Sequence, residues 1–214
     1  MKYLLFLVFS LFSTGLLAKE VSFATTDHAT IYAQFQQRGP HAVLLAHGAI
    51  FNKESWGEFE QRLVQENYSV LAIDFRGYGK STQGDQSRAL YADILAAVQF
   101  LKAKQGVRQI TVLGASMGAA AAAKASVLSA PGAIDQLILL SPASVYHAEN
   151  LKGELLFIAS EGEYLVKAVQ SAFKKAPEAK QIVLIPGSAH AQHIFKTAQA
   201  RLLTDHILNF LKGY

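Results

Sequence analysis

The sequence predicts an α/β domain, with a mostly parallel β-sheet covered by helices on both faces. Three observations carry that prediction. Short runs that are apolar throughout, or with Thr111 the one polar member, recur at 43–46, 70–73, 110–113, 137–140, 155–158 and 182–185, as strands buried on both faces require. Segments with apolar residues at helical spacing lie between them. Polar and small residues follow the runs directly, where ligands bind beyond the carboxyl ends of parallel strands.

The elements follow in order. Residues 20–23 and 30–36 read as two strands joined at Asp27-His28. After the run at 43–46, Trp56, Phe59, Leu63 and Val64 mark one helix face, and Ser55 with Glu58 three residues on reads as a capping box for it. The strand at 70–73 is followed by a helix over 87–104 whose inner face carries Leu90, Ile94, Ala97, Val98 and Leu101. The strand at 110–113 leads into an alanine-rich helix from 117 to 129, stopped by Pro131-Gly132. Strands at 137–140 and 155–158 come next, then a helix over 164–175 ended by Pro177, and the strand at 182–185. One last helix is expected over 192–211, with Ile194, Leu202, Ile207 and Phe210 apolar.

The N-terminus stands apart. Lys2, an apolar run over 3–12 and then Ser13, Thr14, Gly15 and Ala18 ahead of Lys19 have the build of a secretory signal peptide, and this run breaks too early for the ~20 apolar residues of a membrane anchor. Signal residues 1–18 and one domain over 19–214 are therefore expected, with the product periplasmic or secreted and not inserted in a membrane. Leu16 is bulky for the −3 position, which leaves the cut itself less sharply defined.

Composition narrows the function further. A 51% hydrophobic content excludes a disordered chain. With no cysteine, a disulfide scaffold, a thiolate metal site and a cysteine nucleophile are all excluded. The net charge of +4 is scattered, with Lys102, Lys104 and Arg108 the nearest approach to a cluster, so no nucleic-acid partner is expected. No His-Glu metal motif or phosphate-cradling glycine loop occurs, so neither metal nor other cofactor is expected.

Gly114-Ala115-Ser116-Met117-Gly118 sits between an apolar run and a helix, the setting in which G-x-S-x-G lifts a strained serine to the top of a sheet. With Leu44-Leu45-Ala46-His47-Gly48-Ala49 and Asp74-Phe75-Arg76-Gly77-Tyr78-Gly79-Lys80-Ser81, in this order and spacing, the chain resembles the α/β-hydrolase family over nearly all of residues 19–214. The resemblance implies an α/β-hydrolase fold. It also implies Ser116 as nucleophile, His190 in Gly187-Ser188-Ala189-His190 as base, and backbone N–H groups of Ala49 and Met117 as oxyanion hole. Aligning the apolar pair after the acid places Glu163 at the acid position, with Glu161 as competitor. His47 is expected to shape its loop, Asp74 and Arg76 to hold the turn below the site, and His28, His41, His147 and His206 to lie on the surface or lid. His193 is expected inside the last helix.

A serine nucleophile argues against the family's aspartate-based dehalogenases and epoxide hydrolases and its cysteine-based dienelactone hydrolases. Only residues 141–153 occupy the usual place of a lid, which implies an open site for small or medium acyl substrates, bordered by Ile50, Phe51, Tyr78 and Tyr146. A carboxylesterase-like serine hydrolase acting on an ester or thioester heads the readings. A peptidase or acyltransferase on the same scaffold is the alternative, and a non-catalytic binding module with this fold is the alternative of another class.

Overall fold

The computed structural model describes residues 18–213, so the expected signal segment, Ala18 apart, lies outside the described residues. Eight strands form one sheet in the order β1-β2-β4-β3-β5-β6-β7-β8. They are β1 (Lys19–Ala24), β2 (Thr30–Gln36), β3 (His41–Ala46), β4 (Ser69–Ile73), β5 (Gln109–Ala115), β6 (Gln136–Leu140), β7 (Glu154–Ser160) and β8 (Lys180–Ile185). The β1–β2 and β2–β4 pairs are antiparallel; every pairing from β4 through β3 to β8 is parallel. Six strands therefore end at one edge, and whatever follows them converges there.

The strand period of two sorts side chains onto two cores. Val43, Leu45, Val70 and Ala72 point to the face covered by α1 (Gly57–Gln65) and α5 (Ala200–Leu211). Ala42, Leu44, Leu71 and Ile73 point to the face covered by α2 (Leu90–Lys102), α3 (Met117–Leu128) and α4 (Val166–Lys175). Leu44, Leu45, Leu71 and Ile73 are fully buried, each worth about 1.5–3 kcal/mol relative to exposure.

Three local readings need correction. Ser55 does not cap α1: it belongs to a 3₁₀ turn, Lys53–Trp56, where its hydroxyl donates to the Asn52 carbonyl. The helix expected over 192–211 is divided into a 3₁₀ turn (Ala191–Lys196) and α5. Thr197 breaks it: extended in backbone, its hydroxyl donates to the Ile194 carbonyl at 2.8 Å and accepts the Gln199 N–H at 3.1 Å. Such local bonds let threonine compete with helix continuation. The restart turns Leu203 into the core and leaves Leu202 at the surface. His41, expected at the surface, is half-buried on β3. Its Nε2 lies 2.7 Å from Thr111 Oγ1, and burial pushes its pKa down to about 4.

Below the edge where the parallel strands end, Arg76 is buried between two carboxylates. It donates to Asp27 (2.5 and 2.9 Å) and to Asp93 (2.6 and 2.9 Å). The guanidinium holds the Asp27 carboxyl well below the usual carboxylate range. This stabilisation is therefore complete above the ordinary Asp pKa and is lost only as pH falls through the lowered one. Removing one partner strands buried charge, so Arg76→Met is expected to lower stability by about 3–5 kcal/mol, read from urea unfolding midpoints at unchanged m-value. Asp74, likewise buried, accepts from the Lys53 backbone N–H (2.9 Å) and ammonium (2.6 Å).

Candidate active site

Ser116 occupies the turn between β5 and α3 at φ 52° and ψ −110°. A non-glycine residue held there costs about 1–3 kcal/mol and persists only where its surroundings enforce it. The flanking glycines are what permit the turn. A Cβ on Gly114 would stand 2.4 Å from the Gly118 carbonyl oxygen, and one on Gly118 would stand 2.2 Å from that of Ala46. Strand, turn and helix approach too closely for any side chain.

Two strand ends bring partners to the serine. His190 follows β8, and its Nε2 lies 2.8 Å from Ser116 Oγ. Glu163 follows β7, and its Oε2 accepts from His190 Nδ1 at 2.5 Å. The other carboxylate oxygen accepts the Ser141 hydroxyl (2.6 Å) and the Ser160 N–H (3.0 Å). The Glu163 side chain is wholly buried and His190 is about one-fifth exposed. With Nδ1 donating to Glu163, the neutral ring presents a bare Nε2 to the serine hydroxyl, the tautomer that proton abstraction requires. Glu161 stands apart: its side chain is exposed, and only its backbone N–H is engaged, by the Ile185 carbonyl at 2.9 Å.

The two expected oxyanion donors are oriented through the carbonyls of their own peptides, because C=O and N–H of a trans peptide point opposite ways. The Gly48 carbonyl accepts from His47 Nδ1 (2.8 Å) and the Phe51 N–H (3.0 Å), which fixes the direction of the Ala49 N–H. The Ser116 carbonyl accepts from the N–H groups of Ala120 (3.0 Å) and Ala143 (3.1 Å), which turns the Met117 N–H outward at the start of α3. Neither donor has an acceptor among the described residues. His47 is fully buried, accepts the Phe75 N–H on Nε2, and is held below the usual histidine pKa by desolvation. Both of its nitrogens are used in shaping the loop.

The structure separates the expected pocket residues. Ile50 is 78% exposed, and Phe51 packs edge-on against His193, which lies in the 3₁₀ turn after His190. Tyr78 donates its hydroxyl to the Ala49 carbonyl at 2.8 Å, so it braces the loop. Tyr146 lines a cavity of about 510 Å³ that begins at Met117 and Ala143 and runs along α3. A larger hollow of about 1070 Å³ lies between α1 and α5, and neither Ser116 nor His190 lines it.

Three contributors were not anticipated. Ser141 is buried and joins Glu163 to the Ala191 N–H (3.1 Å). It follows an apolar run just as Ser116, Glu163 and His190 do, and that position was the available signal. Gln192 accepts the Gly48 N–H at 2.7 Å and donates to Ser55 at 2.9 Å; a buried glutamine inside an apparent amphipathic helix gave no signal. Tyr164, 79% exposed, lays its ring beside His190 with centroids 5.4 Å apart.

Residues 38–160, more than half of the chain, match the family model described as serine aminopeptidase, S33. An uncharacterized protein of Mycobacterium tuberculosis is 28% identical over 202 residues, covering 81% of this chain and 70% of that one. Among solved structures, the esterase Pf2001 of Pyrococcus furiosus superposes with a TM-score of 0.76 at 22% identity, covering 92% of each chain. An esterase from Exiguobacterium antarcticum does so with a TM-score of 0.77 at 14% identity, covering 91% of this chain and 100% of that one. On its own sequence match, and with the fold of those esterases, the chain belongs to the serine aminopeptidase S33 family of α/β-hydrolases.

Proposed function

We propose that the protein is a serine esterase that cleaves small or medium acyl esters through an acyl-enzyme on Ser116. The observation that carries this reading is the continuous hydrogen-bonded line Ser116–His190–Glu163 at an edge where two free N–H groups flank the serine. In the proposed reaction His190 Nε2 takes the hydroxyl proton as Ser116 Oγ attacks the carbonyl carbon. The developing oxyanion is received by the Ala49 and Met117 N–H groups. The proton passes to the departing alkoxide, and the alcohol leaves. Water then gives a proton to His190 and attacks the acyl-enzyme, and return of that proton to Oγ frees the acid. Glu163 holds the ring and stabilises the imidazolium.

Peptide hydrolysis is the second reading, favoured by the description of the matching family. A fluorophosphonate probe should label wild-type protein at Ser116, and p-nitrophenyl esters of rising acyl length should be turned over faster than aminoacyl p-nitroanilides. Faster anilide turnover would replace esterase by peptidase, and absence of both turnover and labelling would sink the enzyme reading.

Export is part of the same proposal, resting on Lys2 and the apolar run after it. Mass spectrometry of protein recovered outside the cytoplasm should find an N-terminus near Lys19; recovery with Met1 intact would refute it.

A further inference from the structure

The 510 Å³ cavity beginning at Met117 is a largely apolar groove with basic side chains on its lining. Ser116 itself does not line it, but two lining residues adjoin the serine: Met117 follows it in the chain, and the Ala143 N–H donates to its carbonyl. Met117, Ala120, Ala121, Lys124 and Leu128 recur at helical spacing along one face of α3 and form its floor, while Tyr91 and Tyr146 form its walls. Lys124 lies seven residues beyond Met117, about 10 Å along the helix axis. It is exposed, with its ammonium 4.2 Å from the Tyr91 ring centroid, and Arg88 joins it on the lining. Neither cation has a carboxylate partner among the described residues. The acids nearby are engaged elsewhere: Asp85 faces His28 at 2.8 Å, and Glu149 faces His147, the third basic group on the lining, at 3.5 Å.

The groove also has a direction relative to the chemistry. A leaving alcohol must take its proton from His190, so it departs on the side where His190 and Tyr164 stand, and neither of those lines the groove. What remains for the groove is the acyl chain. We propose that it receives a medium-length acyl chain ending in an anionic group, which Arg88 and Lys124 meet part-way along the groove. The substrate class is thus the half-ester of a dicarboxylic acid, or an acyl ester with an equivalent terminal anion. This deepens the esterase reading and rests on it.

The test compares two substrates with one leaving group: the p-nitrophenyl half-ester of suberic acid with its free carboxylate, and the same compound methyl-capped. In wild-type enzyme at low salt, kcat/KM should favour the free carboxylate about five- to tenfold, through KM, with the preference shrinking in about 1 M NaCl. In the double variant Arg88→Gln/Lys124→Gln, whose fold is checked by thermal melting, the ratio should fall to near one. A wild-type ratio of one or less, or a preference retained in the double variant, overturns the proposal. Turnover of p-nitrophenyl acetate separates the two failures. If the acetate is cleaved and the ratio is flat, the chain-end assignment alone falls; if the acetate is inert and Ser116 resists the fluorophosphonate, the esterase reading falls and takes this proposal with it.

Discussion

Ser116→Ala is expected to reduce kcat on any accepted ester by at least ~10⁴-fold while leaving the melting temperature as high as in the wild type or higher. The magnitude follows from the cooperation of the three groups: without Oγ no acyl-enzyme forms, and only the oxyanion donors and binding contacts remain to accelerate attack by water. The stability direction follows from the serine's strained position, since the replacement keeps the Cβ and deletes only a hydroxyl whose partner is His190. His190→Ala should fall to a similar residual rate, and the double variant should be little worse than either single, because removing one member already disables the unit. Steady-state kinetics beside calorimetry read both quantities. Additive losses in the double variant would mean that Ser116 and His190 act independently, contrary to the 2.8 Å contact between them.

Exchanging Glu163 for glutamine is the second large effect, about 10³–10⁴-fold in kcat with KM changed little. The amide can offer an N–H where the carboxylate only accepts, so it favours the imidazole tautomer that points a proton at Ser116 instead of a lone pair. The same exchange should also cost stability, because Ser141 and the Ser160 N–H both donate to one carboxylate oxygen inside a buried pocket. Glu161→Gln serves as the matched control: it is exposed and its side chain has no hydrogen-bond partner among the described residues, so its rates should stay within about twofold of wild type. Loss of turnover in the Glu161 variant and not in the Glu163 variant would reverse the assignment.

The strands were legible because burial on both faces leaves a plain mark, an unbroken run of four or five apolar residues. The runs at 43–46, 70–73, 110–113, 137–140, 155–158 and 182–185 are all strands, lengthened at their ends by residues such as Gln109 and Ser160 that pair without being apolar. Places where a polar side chain overrode the pattern were not legible. Thr197 interrupts an otherwise helical apolar period, and His41 hides a half-buried ring beside a strand start. Within the site, Ser116, Glu163 and His190 each follow a recognisable strand at a recognisable spacing. Ser141 and Gln192 act on backbone groups contributed by segments 50 and 144 residues away, and no local pattern in one sequence encodes such a pairing.

Gln192 has a mechanical consequence. Its side chain ties the Gly48 N–H, beside one oxyanion donor, to the turn that starts at His190, and through Ser55 to the segment preceding α1. The loop that would receive negative charge and the loop that delivers the proton are thus yoked across the mouth of the sheet. Lifting either loop alone breaks one of these hydrogen bonds, each worth about 0.5–1.5 kcal/mol net, so the two loops favour holding their positions together.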